Sequence, residues 1–128
     1  MLQDSLAFSG FTTNDIHAAQ DFYGNTLGLR VDDTGMGLEV HLGGDRTVFI
    51  YQKDNHQPAT YTVLNFPVDD IDQAVDALVE KGVTFEHYPD LPGQQDTKGV
   101  LRGKQFGYGP DIAWFKDPAG NILSVLNG

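Results

Sequence analysis

Hydrophobic residues along this chain switch between two spacings. Over residues 7–12 they are dense enough for a buried strand. Ile16, Ala19, Phe22 and Tyr23 then fall three or four apart, the spacing that gathers side chains on one helix face. Asn14 or Asp15 ahead of them offers an oxygen to the unpaired N–H groups of a first helical turn. Gly28 predicts the helix stop, and a strand begins at 29–31. Residues 38–42 and 47–52 flank Gly43, Gly44 and Asp45 and predict a hairpin.

The same order of elements returns further along. Residues 62–68 predict a strand, and Asp70 with Gln73 fits a helix-capping pattern. Ile71, Ala74, Val75, Leu78 and Val79 form an apolar helical stripe. Lys81 falls in the last turn, where the helix dipole favours positive charge, and Gly82 ends the helix. Strands are predicted at 83–87, 112–116 and 121–126, the last two joined by the turn Asp117-Pro118-Ala119-Gly120. An offset of 55 residues lays the two copies over each other. It pairs Phe11 with Phe66, Asp15 with Asp70, Ile16 with Ile71, Ala19 with Ala74 and Asp21 with Asp76.

The predicted architecture is therefore α+β, two β-α-β-β-β modules within a single domain over residues 1–128. Module 1 covers about 5–54, a linker about 55–60 and module 2 about 61–127. Residues 88–110, rich in glycine and proline, break the symmetry. A connection of that length is expected to be a functional loop or a mobile lid.

Composition narrows the function. With 40% hydrophobic and 20% charged residues, the chain is neither collagen-like nor wholly disordered. At 128 residues it can bury a core without disulfide or metal support. Eight basic against 18 acidic residues give a net charge of -10. That charge repels phosphate backbones and anionic lipid, so neither nucleic acid nor membrane is an expected partner. The absence of cysteine removes disulfides, thiolate zinc sites and cysteine nucleophiles. The first ten residues carry no positive region and no long apolar run, so no signal peptide is expected. A cytoplasmic location follows as the expectation.

Asp21-Phe22-Tyr23 followed by Leu27-Gly28-Leu29, the run Val68-Asp69-Asp70-Ile71, and Phe115-Lys116-Asp117-Pro118-Ala119-Gly120-Asn121 stand in order on the duplicated pattern. In this the chain resembles the vicinal oxygen chelate superfamily, that of glyoxalase I, bleomycin-resistance proteins, fosfomycin-resistance enzymes and extradiol dioxygenases. The resemblance runs from about residue 6 to residue 126. It implies two βαβββ modules whose mixed sheets curl into a cup, and a homodimer. It also implies that an enzyme of this kind would be a lyase, isomerase or dioxygenase.

Much of that superfamily holds a divalent metal on inward-facing strand positions. Carried over from the motifs, those positions are Phe8, Val63, Ser124 and either Ile50 or Tyr51. None is a good ligand, because apolar groups cannot replace the water shell of an ion. The expectation is a cup without the family metal and without a cofactor. Such a cup would be apolar and suited to a small aromatic or planar organic molecule. Phe106, Tyr108 and Trp114 add aromatic rims, with Trp114 and Phe115 on opposite faces of one strand. The ligand-binding candidates are Phe8, Ile50, Tyr51, Val63, Phe106, Tyr108, Trp114 and Ser124; no catalytic residue is identified.

Two other functions compete with this one. A metal-dependent lyase or dioxygenase with relocated ligands could begin from Glu39 and His41, which lie two apart on a strand and point the same way. A non-catalytic dimeric interaction module would need neither metal nor cavity. Of the other histidines, His17 is expected to be solvated and His56 falls in the linker. His87 is adjacent to Glu86 and points the opposite way.

Overall fold

The structure is a computed structural model that describes residues 1–128. The chain divides into two compact units, Met1–Gln57 and Pro58–Gly128, so the boundary falls in the segment joining the sequence repeats. Each unit has its own four-stranded mixed sheet. No helix is long and apolar enough to cross a membrane.

In the first unit, β1 (Ser9–Thr13) leads through Asp15 into α1 (Ile16–Asp21). The Asp15 carboxylate accepts the Ala18 N–H at 3.1 Å, which satisfies one of the free donors of the first turn. The helix widens into a π turn over Phe22–Thr26, and Gly28 turns the chain at a φ of 73°. β2 (Arg30–Asp33), β3 (Leu38–His41) and β4 (Thr47–Gln52) follow, and the sheet order is β1-β4-β3-β2. β1 pairs in parallel with β4, and the other pairs are antiparallel.

Register fixes the two faces of this sheet, because directly paired residues project to the same side. Leu38, Val40, Val48 and Ile50 share one face and are buried. Phe11, paired with Ile50, meets the ring of helix residue Tyr23 at 6.3 Å, so this is the face the helix covers. Gly37 enters β3 where a Cβ would lie 2.6 Å from the Phe49 ring and 2.7 Å from the Ile50 carbonyl oxygen, so only glycine fits.

The second unit repeats the plan with β5 (Thr62–Pro67), α2 (Ile71–Glu80), β6 (Leu101–Arg102), a short α3 (Gly103–Phe106), β7 (Asp111–Lys116) and β8 (Ile122–Asn127). Its sheet order is β5-β8-β7-β6, again with the first and last strands parallel. Asp70 caps α2 by accepting the Gln73 N–H at 3.0 Å. Ile71 and Val75 are buried, as are Ala113, Phe115, Leu123 and Val125, and the Phe85 and Phe115 rings meet edge to face at 5.5 Å.

The strand expected at 83–87 does not form; it shrinks to one bridge between Phe85 and Phe115. The reason is that two segments share one edge of β7. Glu86 N–H reaches the Trp114 carbonyl at 2.8 Å, while Leu101 and Arg102 take Ile112 and Asp111 at the other end.

The segment expected to be a mobile lid is tied down at several points. The Gln95 side chain accepts the Tyr88 N–H and donates to the Glu86 and Gly99 carbonyls. Arg102 makes a two-pronged contact with Asp72 of α2 at 2.7 and 3.1 Å and also reaches Asp96 at 2.9 Å. Lys98 bridges Asp72 and Asp76 of the same helix. Burial pushes the Asp96 carboxyl up, but donors from Val100, Arg102 and Lys98 outweigh it and hold it below its usual range.

The Arg102 and Lys98 hydrogen bonds hold Asp72 at about 2, against an ordinary value of 3.8. A carboxylate depressed on folding adds stability above its unfolded pKa and loses it as pH falls through the folded one. Asp72→Asn removes this contribution. The stability gap between wild type and variant, read by urea unfolding, is therefore expected to be widest near neutrality and to close as pH falls from about 4 toward 2. The gap is small in absolute terms, because the Asp72 side chain is 47% exposed and water screens the pair.

Candidate functional site

The helix-free face of the second sheet carries a pocket of about 350 Å³. Its wall is Trp114 on β7, Ile122 on β8, Thr60, Tyr61 and Thr62 at the start of β5, and the run Tyr88, Pro89, Asp90 and Leu91. Each part is placed by a local cause. Trp114 pairs with Ser124 and alternates with the buried Ala113 and Phe115, so it projects away from the helix-covered face. Its indole N–H donates to the Thr62 hydroxyl at 3.1 Å, which fixes the ring across two strands. Tyr88 meets the Trp114 ring edge to face at 5.7 Å, and Gln95 anchors its backbone.

The Tyr88 hydroxyl oxygen is buried with no hydrogen-bond partner. Burial, reinforced by the nearby Glu86 charge, pushes this phenol above its usual pKa, so at neutral pH it stays a protonated donor. Asp90 supplies the only acidic side chain in the wall. The pocket thus combines aromatic faces and one carboxylate.

The residues singled out from sequence fall in several places. Trp114, unlike Phe115, faces the pocket, and Ser124 lies beside it in register but is 0% exposed. The Ser124 hydroxyl donates to Asn65 at 2.6 Å. Val63 sits at an irregularity in the β5–β8 register, between Thr62 and Leu64. Phe106 and Tyr108 pair with each other at 6.3 Å, exposed and outside the pocket wall.

In the first unit, Ile50 is 0% exposed on the helix-covered face, so it cannot line an open site there. Tyr51 is on the other face, 41% exposed and stacked on Phe49 at 6.0 Å. Phe8, just before β1, is 68% exposed. Sequence reasoning missed Tyr61, Tyr88 and Leu91. Their only signal was proximity to the start of β5 and to the long segment rich in glycine and proline.

The family's metal positions do not fit an ion. In the first unit they offer the Phe8 ring and the Tyr51 phenol. In the second they offer the Val63 alkyl group and a Ser124 hydroxyl already engaged by Asn65. These groups do not replace the hydration shell of a divalent cation.

A different titratable cluster lies on the helix-free face of the first sheet. Glu39 and His41 point the same way from β3, and Asp32 is paired with Glu39 across the β2–β3 ladder. The His41 Nε2 is 2.8 Å from an Asp32 carboxylate oxygen and 3.3 Å from one of Glu39. The hydrogen bond from His41, helped by Arg30, holds the Asp32 carboxyl below its ordinary range.

Solved structures share this architecture. An integron cassette protein from the mobile metagenome of the Halifax Harbour sewage outfall matches with a TM-score of 0.69 at 17% identity, covering 98% of this chain and 99% of that one. The fosfomycin resistance protein FosX of Listeria monocytogenes matches with a TM-score of 0.68 at 15% identity, over 98% and 93% of the chains. TnmS3, an antibiotic binding protein from Streptomyces sp. CB03234, matches with a TM-score of 0.65 at 22% identity, over 98% of each. Likenesses at these identities show the fold alone. Among curated proteins none matches the sequence. The model of the Glyoxalase/Bleomycin resistance protein/Dioxygenase superfamily matches residues 5–125, and the chain belongs to that superfamily.

Proposed function

We propose that the protein binds a small planar aromatic molecule against Trp114, Tyr88 and Tyr61 of the second unit, with no metal at the family positions. The observation that carries this reading is the pocket of about 350 Å³ whose wall is built from those rings. Its volume lies within the range of sites for small organic ligands. A flat ligand can stack on the indole. The Tyr88 ring, held edge to face against the indole, adds a second aromatic surface to the wall. Asp90 and the net charge of -10 favour a ligand that carries positive charge. The fold shared with an antibiotic binding protein is in keeping with a role in capturing a small organic molecule.

Trp114 is the sole tryptophan of the chain, so its emission reports on the pocket directly. Two planar probes of opposite charge, proflavine and anthraquinone-2-sulfonate, are titrated by calorimetry alongside fluorescence. Saturable quenching with a preference for the cationic probe is expected. Trp114→Ala is expected to weaken binding by about tenfold, from loss of ring stacking and buried area. His17→Ala, outside the pocket, leaves it unchanged. Equal affinity in wild type and Trp114→Ala, or no saturable binding of either probe, would overturn the reading.

A further inference from the structure

We propose that Asp32, Glu39 and His41 form a binding site for a first-row divalent metal ion on the β2–β3 pair of the first unit, with zinc the best match. The site is separate from the four positions where the family places its metal. It is also independent of the pocket reading, since every residue belongs to the first unit.

The argument starts from register. Asp32 and Glu39 are direct cross-strand partners, and Glu39 and His41 are two residues apart on one strand. A strand pair therefore projects all three side chains to one side without needing a loop. Their ligand atoms lie within 4.8 Å of one another. Two contacts meet at one atom, since the His41 Nε2 has carboxylate oxygens at 2.8 Å and 3.3 Å.

A single ring nitrogen carries at most one proton, and one proton cannot make two strong linear hydrogen bonds. The second carboxylate is left poorly served, with two like charges held close together. A divalent cation between the three groups replaces that shared proton with two positive charges. The spacing suits it: tetrahedral bonds of about 2.0–2.1 Å place ligand atoms roughly 3.3 Å apart, so little movement is required.

The donor set selects the metal. One imidazole nitrogen with two carboxylate oxygens suits zinc over magnesium or calcium, which prefer oxygen alone. Three protein ligands leave positions for water or a small anion, as in open rather than structural zinc sites. Arg30 competes for Asp32 at 3.1 Å, but its side chain is 73% exposed and free to swing into solvent.

The test uses the full chain, stripped with chelator and dialysed, then titrated with zinc chloride by calorimetry. Excess magnesium is present to occupy diffuse acidic sites. One zinc per chain is expected. His41→Ala and Glu39→Gln should each weaken it by at least about tenfold, while His17→Ala and His87→Ala do not. Circular dichroism confirms that the variants fold, and the milder Glu39→Gln keeps the test decisive if His41→Ala does not. X-ray absorption at the zinc edge should show one imidazole among oxygen ligands. No saturable binding below about 1 mM, unchanged affinity in both variants, or more than one imidazole on the zinc would overturn the proposal.

Discussion

Phe115→Ala is expected to destabilise the second unit by about 3–5 kcal/mol, the cost of emptying a fully packed aromatic site. Phe115 is 1% exposed and is among the largest side chains buried completely. It faces Phe85 at 5.5 Å and pairs with Leu123 across the β7–β8 ladder. Removing the ring takes away transfer energy and leaves a cavity that two strands and a helix cannot close. Urea unfolding should show a lower midpoint. Phe115→Leu, which refills part of the volume, should recover much of the loss. The neighbouring Trp114→Ala should cost less stability and more ligand affinity, because its ring faces the pocket. A destabilisation under about 1 kcal/mol for Phe115→Ala would mean that the β7 faces have been assigned the wrong way round.

Asp117→Ala should cost about 2–4 kcal/mol through polar groups left without partners. Asp117 is 5% exposed. One carboxylate oxygen accepts the Ala119 and Asn121 N–H groups, both at 2.9 Å. The other accepts the Asn121 side-chain amide at 2.9 Å. Asn121 is itself buried, so alanine at 117 takes the acceptor from its backbone and side-chain N–H groups where water cannot replace it. Gly120 completes the turn at a φ of 82°, a backbone conformation that a side chain would strain. Asp117→Asn keeps an acceptor for the two backbone groups and should lose less. Equal losses for the two substitutions would show that charge, and not acceptor geometry, holds the turn. Thermal melts of the three proteins decide between them.

The Asp117 turn shows what a sequence makes legible. Its spacing, acceptor, proline and glycine are local, and local chemistry is enough to form it. The two helix caps at Asp15 and Asp70 were readable for the same reason, as was the repeat that carries the α+β plan. The vanished strand at 83–87 was not. Its residues are suited to pairing, but the edge they would use is divided with Leu101 and Arg102, and that competition exists only in three dimensions.

Parity at the end of β4 was likewise undetermined until pairing with β3 placed Leu38 opposite Ile50. Which of Trp114 and Phe115 faces the pocket stayed open until pairing with Ser124 fixed it, and Tyr61 and Tyr88 reach the pocket from segments far apart in the chain. Glu39 and His41 were visible as a pair two apart. Asp32 could join them only through an antiparallel ladder that spacing alone does not specify.

Each unit is closed by a parallel pairing between its opening and final strands, β1 with β4 and β5 with β8. The paired strands are about 40 residues apart in the first unit and about 60 in the second, a difference worth only about 0.4 kcal/mol of loop-closure entropy. The extra stretch that walls the aromatic pocket therefore burdens the fold very little. Evolution can lengthen, shorten or rewrite it to suit a new guest molecule while the paired strands beneath stay as they are.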